Sequence, residues 1–297
     1  MKFVIAGASG LIGSALVEAL EGAGHGVRLL VRKESLDLDE IRWDPEKGEL
    51  KAEELEGADV VICMSGESVA GGRWSAQRKK RILESRVRTV ELLSKRIAEC
   101  ENGPGVFVCA SAVGYYGMET GDAEVDEGGA LGDGFLAGVC DAWEGASRGL
   151  AESGVRVVHV RLGLVLSAKG GALGTMLLPF RLGLGGRLGD GQQWMSWVNC
   201  RDVVRVIQFV AKEESISGPV NVTSPNPVRN DAFTRALGRA LHRPTVIPLP
   251  GFLVRTALGE MGESLLLRGV RAVPRKLLDA GFEFEDPTID EALCELL

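Results

Sequence analysis

Residues 6–16 read AGASGLIGSAL, and how this stretch is read decides the fold. Before it stands the apolar run KFVI at residues 2–5. After it, residues 14–25, SALVEALEGAGH, carry apolar side chains at helical spacing until Gly22 and Gly24 stop the pattern. The stretch is therefore predicted to be the turn between a buried strand and a helix. Gly7, Gly10 and Gly13 give the spacing G-x-x-G-x-x-G. Glycines at such a turn let the backbone bend tightly and approach a pyrophosphate, while the first N–H groups of the helix point at it. Gly7, Ser9, Gly10, Leu11, Ile12 and Gly13 are accordingly the expected cradle of a dinucleotide.

Outward from this turn, residues 27–33, VRLLVRK, form the next expected strand. Its end is where such folds choose their cofactor. An acid there accepts hydrogen bonds from a ribose 2′-hydroxyl, whereas cations suit a 2′-phosphate. The chain places Arg32 and Lys33 directly after Val31, so NADP(H) is the expected ligand, with these three residues at its ribose. Further strands are expected in ADVVICMSG (58–66) and GVFVCASAVG (105–114). Between them, residues 75–100 set Leu83, Val87, Val90, Leu93 and Ile97 on one helical face, with Ser75 as N-cap. Repeated β-α units imply an α/β protein with a parallel sheet covered by helices on both faces. From about residue 165 the pattern loosens into SAKGGALGTMLLPFRLGLGGRLGDGQQ (167–193), glycine-rich yet still apolar, which reads as a binding surface. A helix opening at Asp202, expected as its cap, and the strand GPVNVTS (218–224) are expected to return to the sheet.

Composition narrows the function class. With 297 residues, 45% hydrophobic and 25% charged, the chain can bury an ordinary core. A net charge of −7, with the dense basic run RWSAQRKKR (73–81) largely on one helix, gives no reason to expect nucleic acid. No apolar run approaches the ~18 residues of a membrane span, and Met1 leads almost at once into a strand, so a cytoplasmic protein without a membrane partner is expected. The six cysteines lie far apart without C-x-x-C, and only three histidines are present. Free thiols are expected, and no metal site.

Several longer segments carry a resemblance. SGESVAGGRW (65–74), SAVGYYG (111–117), GDGQQWMSWVNCRDVV (189–204) and GEMGESLLLRGVRAVPRKLLDAGFEFEDP (259–287) follow the glycine turn in order. Together they resemble the atypical, extended short-chain dehydrogenases/reductases of the NAD-dependent epimerase/dehydratase type, over nearly the whole chain. The resemblance implies a Rossmann-type doubly wound parallel sheet with a smaller C-terminal substrate domain. Residues 1–165 would be the NADP-binding domain, with 198–226 returning to it, and 166–297 the substrate-type domain. It further implies that Met64 and Ser65 lie against the adenosine side and Leu164 near the nicotinamide, that Arg86 reaches a phosphate, and that helices at 75–100 and 135–153 are the faces of a possible homodimer.

One departure from the family pattern bears on chemistry. Extended members use a Tyr with a Lys four residues later, one helical turn away, to move a proton during hydride transfer. Here Tyr115 and Tyr116 are followed at that spacing by Glu119 and Thr120, and Leu136 and Cys140 stand where Tyr and Lys belong. Ser111, at a strand end, is the candidate substrate contact, balanced by a plain turn role, and Tyr115 is the candidate stand-in proton donor. Gln193 and Trp197 pair an amide with an aromatic wall and are the candidate substrate-binding residues, against a Trp-rich packing loop. Two functions remain open at this point: an NADP(H)-dependent epimerase/dehydratase-like oxidoreductase acting on a small molecule, or a non-catalytic NADP(H)-binding sensor.

Overall fold

The computed structural model describes residues 1–34 and 37–297. The chain begins with β1 (Lys2–Ala6), α1 (Leu11–Gly22), β2 (Gly26–Val31), β3 (Glu40–Arg42), β4 (Val60–Cys63), α2 (Ala76–Ala98) and β5 (Val106–Ala112). It continues through β6 (Glu119–Val125), α3 (Phe135–Gly145), β7 (Arg156–Leu162), β8 (Leu164–Leu166), α4 (Gly171–Arg181), β9 (Trp194–Met195), β10 (Trp197–Asn199), α5 (Cys200–Lys212) and β11 (Gly218–Val222). The last part contains β12 (Val228–Arg229), α6 (Asn230–Ala240), α7 (Gly251–Leu258), α8 (Glu260–Gly262), β13 (Gly269–Ala272), α9 (Arg275–Asp279) and α10 (Ile289–Leu296).

Seven strands make one parallel sheet in the order β11-β7-β5-β4-β1-β2-β3. Their sequences explain the burial. Val60–Cys63 is apolar throughout because helices cover both faces of the sheet, and Phe3, Val4 and Ile5 are buried for the same reason. Strand order runs outward from β1 in both directions, so the crevice at the carboxyl ends of β1 and β4 is the topological switch point where α/β sheets take ligands. α5 packs Val203, Val206, Ile207 and Val210 into this main core, and β11 closes the sheet edge.

A second, smaller core joins Leu173, Leu177 and Phe180 of α4 to Phe233, Leu237 and Leu293 of α6 and α10, around Trp197. Three two-stranded ribbons, β8 with β10, β9 with β12 and β6 with β13, serve this part of the molecule. The last ribbon revises the expected layout: residues 119–125, inside the N-terminal segment, pair with 269–272 near the C-terminus. Ser75 caps α2 by accepting from the Arg78 N–H at 3.2 Å. Asp202, in contrast, is not a cap. Asn199 caps α5 by accepting from the Arg201 N–H, while the Asp202 carboxylate accepts from the Glu285 and Asp286 N–H groups and pairs with Arg205. The helix expected over 135–153 is α3 followed by a separate 3-10 turn at Arg148–Ser153. Among the described residues, no helix is long and apolar enough to cross a membrane.

Candidate functional site

The three glycines of the opening turn do different work. Gly7 sits at φ 87°, and a Cβ there would lie 2.7 Å from the Met64 carbonyl carbon, because the turn packs directly on the end of β4. A Cβ on Gly13 would lie 2.2 Å from the Gly7 oxygen, so α1 approaches the turn through a bare backbone. Both are packing requirements. At Gly10 a Cβ would meet only the Gly7 oxygen, at 3.4 Å, so no protein atom requires a glycine there. Gly10 is also the N-cap of α1 and offers no side chain to the first N–H groups, and the first turn holds no acid. The positive end of the helix is thus left for an external anion, with room above Gly10 for it.

A cleft of about 1030 Å³ opens from this turn. Of the residues expected to hold a dinucleotide, Gly7, Ser9, Gly10, Val31, Arg32, Lys33, Met64 and Ser65 line it. Leu11, Ile12, Gly13, Arg86 and Leu164 are not part of its wall. Ile12 packs on the main core, and Leu11 lies against Gly170 and Gly171 at the start of α4. Lys33 is held by Glu40 at 3.3 Å, whereas Arg32 is exposed and has no ion-pair or side-chain hydrogen-bond partner among the described residues. The opposite wall is α2, from which sequence reasoning picked Arg86 and not the residues that line the cleft. Arg81 and Arg88 face in from it, paired with Glu67 and Glu84, beside Ser85 and Thr89. Their spacing, four and three residues apart on one helical face, was the available signal.

Arg86 points elsewhere. Its guanidinium donates to the Ile82 carbonyl, lies 4.9 Å from the Trp143 ring and packs beside Gly66. No carboxylate pairs with it among the described residues, and burial draws its pKa down from the usual arginine value, with the Cys140 thiol and Glu67 opposing.

Beyond the cleft, beside the stretch of α3 where Leu136 and Cys140 stand in for the family's Tyr and Lys, lies a buried polar network. Arg161 on β7 donates through Nε and one terminal nitrogen to both oxygens of Glu144 on α3, at 2.8 Å each. Its other terminal nitrogen donates to the Tyr116 hydroxyl at 2.9 Å, which in turn donates to Asn221 on β11 at 2.7 Å. Burial pushes the Tyr116 phenol up despite Arg161 beside it. Ser111 belongs to the same network. It is 1% exposed and donates to Glu144 at 2.7 Å, which corrects its expected role as a substrate contact: the hydroxyl faces inward. Cys140 is buried with its thiol pushed up to about 11, chiefly by burial, so it is an inert packing cysteine. Tyr115 differs from all of these. The face of Arg161 lies 3.5 Å from its ring centroid, and its hydroxyl has no partner among the described residues.

The two expected substrate-binding residues are also committed internally. Trp197 is 0% exposed, the largest side chain of the second core, with its indole N–H on the Asn226 carbonyl, so it is no cavity wall. Gln193 donates its amide to the carbonyls of Leu188 and Leu266, bracing the glycine-rich loop against residues 263–267.

Comparison with known proteins agrees with this architecture. The NAD dependent epimerase/dehydratase family matches residues 3–223, from β1 to β11. The chain belongs to that family. Residues 249–296 match a domain of unknown function, DUF1731. An epimerase family protein of Mycobacterium bovis is 47% identical over 289 residues, covering 97% of this chain and 95% of its own. A crystal structure of the human epimerase family protein SDR39U1 (isoform 2) with NADPH matches at a TM-score of 0.93 and 34% identity, over 100% of this chain and 99% of that one. A nucleoside-diphosphate sugar epimerase from Corynebacterium glutamicum matches at a TM-score of 0.83 and 32% identity, over 100% of this chain and 58% of that one.

Proposed function

We propose that this family member binds NADP(H) and acts as an epimerase/dehydratase-like oxidoreductase on a small polar substrate. The observation that carries the reading is the cleft that joins an unobstructed helix N-terminus at Gly10 to Arg32, a cation with no ion-pair partner among the described residues. The first suits a pyrophosphate and the second a ribose 2′-phosphate. NADPH in the human relative's crystal structure supports the same choice. When bound, the cofactor supplies a hydride at C4 of its nicotinamide. Gly7, Ser9 and Gly10 hold the pyrophosphate through backbone groups at the N-terminus of the helix that Leu11, Ile12 and Gly13 begin, Arg32 takes the ribose phosphate beside Val31 and Lys33, and Met64 and Ser65 cover the adenosine. Leu164 borders the nicotinamide end. Tyr115 moves the proton: Arg161 stacks on its ring and fixes its orientation, and its hydroxyl, without a partner among the described residues, meets a substrate oxygen.

A second reading, a sensor that binds NADP(H) without turnover, draws support from Leu136 and Cys140 at the positions of the proton-transfer pair and from the neighbouring network of Ser111, Glu144, Arg161 and Tyr116, whose polar groups are satisfied by one another. One experiment separates the readings. NADPH and NADH are titrated by fluorescence against the wild type, Arg32→Ala and Tyr115→Phe, and the same samples are screened for NADPH consumption with carbonyl compounds. Selective NADPH binding that Arg32→Ala abolishes, with consumption that Tyr115→Phe abolishes, is the result expected. Selective binding with no consumption by any carbonyl compound establishes the sensor, and equal affinity for both nucleotides overturns the cofactor assignment.

A further inference from the structure

Most of the exposed large hydrophobic side chains among the described residues fall in two stretches, 178–184 and 246–253. The two runs of chain lie side by side. The Leu249 N–H donates to the Arg187 carbonyl at 2.9 Å, the Gly189 N–H returns to the Leu249 carbonyl at 2.9 Å, and Arg243 Nε donates to the Arg181 carbonyl at 2.8 Å. The pairing sets Leu182 and Leu184 beside Val246 and Ile247, with Leu178 at the end of α4 and Phe252 on the first turn of α7. These side chains stand proud of the surface: Val246 is 76% exposed, Leu178 67%, Leu182 65% and Phe252 64%. Side chains that line a groove for a folded partner are half covered by its walls. Tips this exposed present no such concavity.

Charge narrows the occupant. Residues 171–189 and 241–257 contain Arg181, Arg187, Arg243 and Arg255 and no carboxylate, in a chain whose net charge is −7. Arg181 and Arg187 pair with no carboxylate among the described residues, and Arg243 donates only to backbone carbonyls. Arg255 is held by Glu263. Asp190, just beyond the first run, accepts from the Gln192 N–H. His242 stands at the turn into the second run with φ 53°.

We infer that this face docks on an anionic phospholipid surface. Projecting aliphatic and phenyl groups enter the boundary between headgroups and acyl chains, where no shape complementarity is needed, and the surrounding arginines meet anionic headgroups. A second copy of the chain is a poorer fit, because a two-fold axis through the patch sets the same unpaired arginines against each other. The expectation of no membrane partner rested on the absence of a spanning segment. A peripheral contact needs none.

The test is co-sedimentation of the full chain with vesicles of phosphatidylcholine alone or of phosphatidylcholine mixed with phosphatidylglycerol. Binding is expected only to the anionic vesicles and falls as sodium chloride is raised. The triple variant R181E/R187E/R243E is expected to lower the partition coefficient by about 100-fold. L182D/F252D is expected to lose binding while keeping wild-type NADPH affinity and circular-dichroism melting, since both side chains are exposed. No pelleting with anionic vesicles, or equal pelleting with both kinds, overturns the inference. So does concentration-dependent self-association in sedimentation velocity that L182D/F252D removes, which assigns the face to a second copy.

Discussion

At the scale of single residues, the two glycines of the turn separate packing from binding. Gly13→Ala forces a methyl to within 2.2 Å of the Gly7 oxygen and drives α1 off the sheet. It is expected to destabilise the fold by about 3 kcal/mol or more in urea unfolding, as overpacking at a backbone contact does. Gly10→Ala meets only a 3.4 Å neighbour, so its melting temperature is expected to stay near wild type while NADPH affinity falls, because the methyl fills the space above the helix N-terminus. A Gly10→Ala variant that binds NADPH like wild type would falsify the placement of the pyrophosphate. Glu144 makes the opposite kind of case. Its carboxylate neutralises the buried Arg161 and holds Ser111. Glu144→Gln leaves that guanidinium unpaired in the core and is expected to cost about 3–5 kcal/mol, a loss that Glu144→Asp should restore in part.

Among the elements, β7 carries the clearest pH dependence. His159 sits on it next to the Glu144–Arg161 pair and hydrogen-bonds Ser147 at 2.8 Å. Burial draws its pKa down from the ordinary value of 6.5, with Glu144 opposing and Arg161 adding to the effect. A base whose folded pKa is depressed binds fewer protons folded than unfolded, so stability is full above about pH 6.5 and declines as the pH falls below it. Urea midpoints measured between neutral pH and about pH 5 are expected to show that decline, and His159→Gln to flatten it; an equal decline in the variant would assign it to other groups. The same strand shows where sequence reading stops. The turn, β1, β2, β4, β5 and the α2 cap were legible because each depends on neighbours in the chain: glycine spacing, apolar runs and one serine. β6 was not, since ETGDAEV has almost no buried position and becomes a strand only by pairing with 269–272. Trp197 was misread because an aromatic in a glycine-rich segment can wall a cavity or fill a core, and only the packing of α4, α6 and α10 decides. The Glu144–Arg161 pair was missed for a related reason. An Arg within an apolar strand is a usable signal of a buried partner, but the partner lies on another element.

Over the whole molecule, the order of the chain ties the two cores together. The second core is built from α4, α6 and α10, yet α5 and β11, which lie between α4 and α6 in sequence, complete the main core and sheet. Ser196, next to Trp197 of the second core, donates to the Val270 carbonyl at 2.7 Å, and Asn221 on the sheet edge holds the Val273 carbonyl at 3.0 Å, so residues 270–273 tie the two cores together. Neither core can open without stripping a strand or helix from its neighbour. Far-UV and near-UV circular dichroism are therefore expected to report one coincident thermal transition. Because the cleft lies wholly on the main core, the response to ligand tests this coupling. At about 100 times its Kd, NADPH adds roughly 2.7 kcal/mol to the native state, which for a chain of this size corresponds to a rise of about 4 °C in Tm. If the cores are coupled as the topology dictates, that rise appears equally in the two signals. A second transition that NADPH leaves unmoved would mean that the C-terminal core unfolds on its own, and that α5 and β11 hold the sheet without restraining the segments between which they lie.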